Sequence, residues 1–177
     1  KYRDLNVDGV IDENDAKYHG VTVTPSVYYG INLGMKYKNF GFEAVFQGAG
    51  GFMVHTNLPS VYQPLYDNDK NISKHYLKSY WSAESPEGRY PRLTTKSNAH
   101  NFAESPIWWE KGDYFKLRNL FVWYDLGQYM NRIDSFRLFF RGHNLFSIDK
   151  VKIFDPEHIS LAYPTVRSYQ IGLQLTF

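Results

Sequence analysis

The sequence predicts an all-β fold in which antiparallel strands form part of the wall of a transmembrane β-barrel. Three observations support this prediction. The C-terminal residues alternate between apolar and polar side chains, short and long connections alternate between candidate strands, and aromatic residues make up 18% of a chain whose mean hydropathy is −0.48. Strands of membrane barrels are apolar only at every second position and carry aromatic girdles at both interfaces, which explains this combination.

The strongest strand signal lies at the C-terminus. Between Tyr169 and Phe177, apolar side chains stand at every second position, and polar or small residues stand between them. Because successive residues of a strand point to opposite faces, one face is wholly apolar over the roughly 9 to 11 residues that a tilted membrane strand needs. A half-buried strand of a soluble sheet is the alternative interpretation.

Four earlier segments also have strand character. The first two alternate well and form a hairpin through Lys38 and Asn39. In the third, the positions of the apolar residues change parity near Asn119, and a β-bulge is one explanation. The five predicted strands are 27–37, 40–53, 113–126, 136–147 and 168–177.

The connections between these strands differ greatly in length. They contain about two, sixty, nine and twenty residues in chain order. Outer-membrane barrels have short periplasmic turns and long extracellular loops, so this order predicts that the C-terminus lies on the periplasmic side. We therefore divide the chain into an extracellular loop, 1–25, and C-terminal barrel strands, 26–177, which are interrupted by a long extracellular loop, 54–112.

The loop 54–112 is rich in aromatic residues, and one part of it, 71–81, has the apolar spacing of a short helix. Long loops without internal structure are uncommon, so this loop is predicted to be ordered and functional. Its aromatic side chains either contact a ligand or partner, or pack the loop against itself. The candidates for ligand or partner contact are Tyr62, Tyr66, Trp81, Tyr90, Trp108 and Trp109.

The segment DLNVDGVIDEND, residues 4–15, matches a calcium-binding loop. Alternate side chains of such a loop converge on one cation, and Gly9 at the sixth position permits the sharp turn. Asp15 replaces the usual bidentate glutamate, and no pair of amphipathic helices flanks the loop. The alternative is a solvated acidic turn. The predicted calcium ligands are Asp4, Asn6, Asp8, the Val10 carbonyl, Asp12 and Asp15.

Composition excludes several other functions. The formal charge of +2, from 20 basic and 18 acidic residues, is too balanced for nucleic-acid binding. The absence of cysteine excludes thiolate metal sites and cysteine nucleophiles. The histidines show no HExxH spacing, and no GxSxG motif occurs, so the sequence predicts no enzyme. The start at Lys1 suggests a fragment or a processed piece.

Seven motifs in one order resemble the C-terminal end of the SusC/RagA family of TonB-linked outer-membrane transporters of Bacteroidetes. The resemblance covers nearly the whole chain. Phe121 and Trp123 depart from it, because the family more often has smaller residues there. The motifs are DLNVDGVIDEND, YYGINLGMKYKNFGFEAVFQGAGG, YPRLT, DYFKLRNLFVWYDL, FRLFFRGHNLFSI, DPE and YPTVRSYQIGLQLTF.

The resemblance implies a 22-strand barrel in the bacterial outer membrane, of which this chain supplies about the last five strands. It also implies an N-terminal plug, TonB contact through the missing N-terminal part, a SusD-like lipoprotein lid, outer-membrane lipid around the wall, and import of glycans or peptides. The C-terminal residues resemble the signal that the barrel-assembly machinery reads. In this chain that signal is Tyr169, Ile171, Leu173, Leu175 and Phe177.

Two rival interpretations remain. One is a soluble, extracellular calcium-binding β-sandwich of the adhesin or lectin type, and the other is an outer-membrane hydrolase with an active site in its loops. A sandwich would cover Ile171, Leu173 and Leu175 with a second sheet, whereas a barrel wall leaves them facing outward. A hydrolase needs a nucleophile and a base within reach of each other.

Overall fold

The computed structural model describes residues 2–58, 71–96, 99–127, 134–158, 163 and 165–176. Among these residues, helical structure is limited to one turn of α-helix, α1 (Lys74–Leu77), and 3₁₀ turns at Glu13–Asp15, Ala99–Phe102 and Pro106–Trp108. No helix in this part of the chain has the length and apolar character needed to cross a membrane. The strands are β1 (Val27–Tyr37), β2 (Phe40–Gly50), β3 (Met53–His55), β4 (Trp109–Lys111), β5 (Tyr114–Asp125), β6 (Ser135–Asp149) and β7 (Ser168–Thr176).

The five long strands form one sheet in the order β1-β2-β5-β6-β7, and every neighbouring pair is antiparallel. The all-β, antiparallel fold class predicted from the sequence is therefore confirmed. Among the described strands, β1 and β7 each have one edge that pairs with nothing. Such an edge presents a row of free backbone donors and acceptors, so this sheet is open at both sides.

The hairpin between β1 and β2 follows directly from the local sequence. Tyr37 pairs with Phe40, so Lys38 and Asn39 alone form the turn. Lys38 has a φ of +52°, and two-residue hairpin turns of the favoured types require a positive φ at their first central position. The turn fixes which residues of β1 and β2 pair, so the alternating apolar residues of the two strands lie on the same face of the sheet.

The second predicted strand ends earlier than expected. It was predicted to continue to residue 53, but β2 ends at Gly50, because Gly51 adopts a φ of +74° and its N–H donates to Asp113 Oδ1 at 2.9 Å. After this bend the chain enters β3, which pairs with β4 in a separate two-stranded sheet. The sequence did not predict this small sheet.

The helix predicted at 71–81 is reduced to the single turn α1. Beyond it, the backbone bonds to a distant segment. Tyr90 N donates to Ser79 O at 2.9 Å, and Trp81 N donates to Tyr90 O at 2.8 Å. In a longer helix, Ser79 O and Trp81 N would bond to groups within the helix, but here both bond to Tyr90. The helix therefore does not continue.

A β-bulge lies at the position where the sequence changes parity. Arg118 is skipped in the register of β5 with β6, between Leu117 and Asn119. Leu117 pairs with Phe46 and Leu120 pairs with Ala44, so these two leucines share a face although three positions separate them. The extra residue in the bulge therefore keeps the apolar side chains on one face of the sheet.

The two faces of the sheet differ in chemistry. The face that carries the alternating apolar residues of β1 and β7, called the apolar face, is uncovered in the described part of the chain: Ile171 is 79% exposed and Leu173 is 61% exposed. A soluble sandwich would bury this face against a second sheet. The exposed face therefore argues against the sandwich interpretation and is typical of a barrel wall. The opposite side is called the polar face.

Buried residues lie mainly where the long connections meet the sheet. One cluster joins the ends of β2 and β5 to the segment after β6, and a second cluster lies within the residues between β3 and β4. The first cluster contains Ala49, Phe52, Val54, Tyr114 and Val151, and the second contains Tyr76, Tyr90 and Trp108. The connections are therefore packed structures of their own.

Candidate functional site

The aromatic residues of the long loop divide into packed and accessible sets. Tyr90 stacks between Tyr76 and Trp108, with ring centroids 5.0 and 6.0 Å away. Tyr90 is 2% exposed and Trp108 is 0% exposed, so these two predicted contact residues instead pack the loop against itself. Trp81 is 43% exposed and remains a candidate for ligand contact. Tyr62 and Tyr66 lie outside the described residues.

The sixth candidate, Trp109, belongs to a small polar cluster at the start of β4. Its Nε1 donates to Glu104 Oε1 at 2.5 Å, and the other carboxylate oxygen lies 3.0 Å from His55 Nε2. The His55 ring is 4.8 Å from the Trp109 ring. These contacts fix the indole, and Trp109 is only partly buried. Trp109 therefore also remains a candidate for ligand contact.

The predicted calcium loop folds around its own backbone N–H groups. Asp4 accepts hydrogen bonds from Val7 N at 2.5 Å and Gly9 N at 2.8 Å, and Asp8 accepts one from Val10 N at 2.8 Å. Within the part of the chain that the structure describes, no three Asp, Glu or His side chains form a group able to hold a metal ion.

The other end of the loop is held in the same way. Asp15 accepts hydrogen bonds from Leu5 N at 2.6 Å and Asp12 N at 3.0 Å, while Asn6 Nδ2 donates to Asp8. The bonds from Leu5 N, and then from Asp12 N, lower the pKa of the Asp15 carboxyl, so it is a carboxylate at neutral pH. Backbone and side-chain hydrogen bonds shape this turn, and calcium binding by the loop stays a prediction.

We predict that this loop binds calcium weakly, with a dissociation constant of roughly 10⁻⁴ to 10⁻³ M, as extracellular loops of this type do. Titration calorimetry of the complete protein should detect the binding, and Asp8→Ala should remove the heat. Glu13→Ala is the matched control, because Glu13 is acidic and adjacent but outside the predicted ligand set. If the parent gives no calcium-dependent heat at millimolar concentrations, the loop is a solvated turn.

The segment after β6 is attached to the polar face by a network of ion pairs. Lys116 is 3% exposed, contacts Asp155 and lies 2.7 Å from Glu157 Oε2. Arg118, the bulge residue, pairs with the same Glu157 and donates from Nε to Gln47 Oε1 at 2.9 Å. The bulge therefore gives the polar face two adjacent cations, and the segment after β6 supplies their counter-ions.

The two carboxyl groups of this network are ionised at neutral pH. Burial raises the pKa of Asp155, but hydrogen bonds from Lys116 and from Glu157 N outweigh it, and the net pKa lies below its ordinary value. Burial likewise raises the pKa of Glu157, but bonds from Lys116 and the Tyr114 hydroxyl lower it further than burial raises it. Both groups are therefore carboxylates that neutralise the cations of β5.

An aromatic patch lies farther along the polar face, on β5 and β6. The Phe121 ring is 5.1 Å from the Trp123 ring and 5.8 Å from the Phe139 ring. A Cβ added at Gly41 would lie 2.2 Å from the Trp123 ring, and one added at Gly172 would lie 2.3 Å from the Phe139 ring. The two glycines therefore leave space in the neighbouring strands for Trp123 and Phe139, and Trp123 is one of the two residues that depart from the SusC/RagA pattern.

In the described part of the sheet, three arginines belong to the polar face, and two of them have carboxylate partners. Arg118 pairs with Glu157, and Arg137 pairs with Asp125 at 2.6 Å. The third, Arg141, lies with its guanidinium 5.0 Å from the centroid of Phe121 and 6.0 Å from that of Phe139. No sequence motif pointed to these groups. The only sequence feature that indicated them is that Arg137, Phe139 and Arg141 stand at alternate positions of the fourth predicted strand and so share a face.

The C-terminal residues that resemble the assembly signal lie together on the apolar face. Tyr169, Ile171, Leu173 and Leu175 pair in register with Gly142, Phe140, Leu138 and Phe136 of β6, and all four are exposed. Phe177 lies outside the described residues. The signal role of these residues stays a prediction.

Similarity to known proteins is found in structure only. No family model matches the chain, and no curated protein matches it. The RagAB peptide importer in its open-open state is similar, with a TM-score of 0.65 and 23% identity over 99% of this chain and 20% of that one. Another structure of the RagAB peptide transporter has a TM-score of 0.66 and 23% identity over 95% of this chain and 19% of that one. The RagAB peptide importer in its closed-closed state has a TM-score of 0.62 and 22% identity over 97% of this chain and 21% of that one.

At this identity the similarity concerns the fold. The chain has the fold of a β-barrel transporter segment, and it spans about 20% of the length of the first of these transporter chains. In such a wall the apolar face contacts lipid and the polar face lines the lumen. The fold of this chain is thus the one that its resemblance to the SusC/RagA family implied.

Proposed function

We propose that this chain is the C-terminal barrel segment of a TonB-dependent transporter of the SusC/RagA type, located in the bacterial outer membrane, and that the complete protein imports peptides. The observation that carries the proposal is the apolar face, which is exposed along β1 and β7 in a sheet with the fold of a RagAB segment. Peptides are favoured over glycans because the similar structures are those of a peptide importer.

The proposal includes partners outside this chain. Both open edges of the sheet pair with further barrel strands, because backbone groups inside a membrane need hydrogen-bond partners. A plug, TonB contact through an N-terminal part, and a SusD-like lipoprotein lid complete the transporter. The C-terminus lies on the periplasmic side, and the loops between β2 and β5 and between β6 and β7 are extracellular. The chemistry is binding and passage, without bond cleavage.

Uptake by bacterial cells that produce the complete protein tests this function. We expect labelled peptides to accumulate in the periplasm, and a protonophore to stop the accumulation because TonB-linked import needs energy. A matched strain carries the same protein without its TonB-contacting segment and should not accumulate peptide. Accumulation of labelled oligosaccharides instead of peptides would overturn the substrate class, and recovery of the protein in the soluble fraction would overturn the membrane location.

A further inference from the structure

Three residues form a row across the middle of the polar face, on neighbouring strands. Glu43 of β2 is paired in register with Phe121 of β5, and Phe121 is paired with Arg141 of β6. This row therefore places an acidic group and a basic group on either side of an aromatic ring. Adjacent strands are about 4.8 Å apart, so the backbones of Glu43 and Arg141 are separated by roughly 10 Å.

Both charged groups of this row lack a counter-ion among the residues that the structure describes. The other strand cations of the polar face have one: Lys116 and Arg118 pair with the segment after β6, and Arg137 pairs with Asp125. Arg141 and Glu43 are exposed, and neither has a hydrogen bond or ion pair within the described part of the chain. Their charges are therefore available to a bound molecule.

The guanidinium of Arg141 is nevertheless held in place. It lies within cation–π distance of the rings of Phe121 and Phe139, at 5.0 and 6.0 Å from their centroids. Such contacts restrict the side chain, which is exposed, and this restriction lowers the entropy lost when a carboxylate binds. Aromatic and arginine side chains are also those that contribute most to polypeptide-binding surfaces.

We propose that Glu43, Phe121 and Arg141 form a lumen-facing subsite for a peptide that carries a carboxylate and an ammonium group three residues apart. Arg141 binds the carboxylate through its planar set of donors, Glu43 binds the ammonium, and Phe121 packs against the chain between them. In the polyproline II conformation, three residues of peptide span about 9 Å and return to the same side, so both charged side chains face the row at a spacing that matches its width. This inference rests on the proposed import of peptides.

The test uses the complete transporter in lipid nanodiscs and two probes. The charged probe is acetyl-Glu-Ala-Ala-Lys-amide, and the neutral probe is acetyl-Gln-Ala-Ala-Gln-amide. We expect the parent to bind the charged probe about tenfold more tightly, because two exposed charge-assisted contacts together contribute on this scale. Arg141→Gln and Glu43→Gln should each lower this preference to about threefold and leave the affinity for the neutral probe unchanged. Lys36→Gln is the control, since Lys36 belongs to the same face but lies 3.8 Å from Asp125.

The possible outcomes separate this inference from the proposed function. If the parent binds both probes equally, or if its full preference persists in both variants, the subsite is overturned while peptide import stands. If the parent neither binds nor imports either probe, the proposed substrate class itself fails. An equal loss of affinity for both probes in the two variants would show that the row supports the barrel structure. This outcome also overturns the subsite. Glu43→Gln gives an independent answer if Arg141→Gln does not assemble.

Discussion

Leu173→Asp is expected to reduce severalfold the amount of assembled barrel in the outer membrane. Leu173 is 61% exposed near the middle of β7, on the apolar face that contacts lipid in a barrel wall. A charged side chain at the bilayer midplane costs roughly 2–4 kcal/mol for Arg or Lys and less for Asp. Loss of the leucine side chain from lipid adds about 1.5–3 kcal/mol. Heat-modifiable mobility on SDS gels of purified outer membranes measures the folded fraction.

The same strand supplies both a replicate and a control. Ile171→Asp should behave like Leu173→Asp, because Ile171 is two residues away on the same face and is 79% exposed. Gln174→Asp introduces the same charge on the polar face, opposite Arg137, and should leave assembly nearly unchanged. Equal losses at all three positions would show that the faces are assigned wrongly.

Lys116→Met is expected to release the segment after β6 from the polar face. Lys116 is 3% exposed and is the shared partner of Asp155 and Glu157, so its replacement leaves two partly buried carboxylates with one cation, Arg118, between them. Removing one member of a buried ion pair typically costs about 3–5 kcal/mol. We expect protease cleavage within residues 150–158 to accelerate severalfold in the assembled protein, while the barrel itself remains folded.

Lys36→Met is the matched control for this experiment. Lys36 is 61% exposed and lies 3.8 Å from Asp125, and exposed pairs of this kind contribute at most about 1 kcal/mol. Cleavage of the segment should therefore stay at the parent rate. If Lys116→Met also leaves cleavage unchanged, apolar packing of Val151 rather than the ion pairs holds the segment.

Acid should have the same effect as Lys116→Met. The pKa values of Asp155 and Glu157 lie below their ordinary values in the folded protein. Their contribution to the attachment is therefore complete at neutral pH, above the ordinary carboxyl pKa near 4, and is lost as the pH falls through the lowered folded values. An acid-stable protease such as pepsin measures this by comparing the cleavage rate of the parent with that of Lys116→Met. The two rates should converge as the pH decreases.

The sequence by itself determined the five long strands, their antiparallel order and the faces of β7. The reason is that a strand repeats every two residues, so Tyr169 to Leu175 show their alternation without any knowledge of neighbours. The same local rule located the hairpin turn at Lys38 and Asn39 and indicated a bulge near Asn119, and the structure shows that the extra residue is Arg118.

Only the tertiary structure decided which side chains meet. Tyr90 and Trp108 were candidates for ligand contact, but their burial depends on how the long loop folds over Tyr76. Lys116 is 39 residues from Asp155, and the pairing of these two residues depends on where the segment after β6 returns to the sheet. The row of Glu43, Phe121 and Arg141 depends on the register of three strands, and β2 and β5 are separated by the long loop. A period-two pattern carries no information on such contacts, because it fixes the face of a residue but not its neighbours across the sheet.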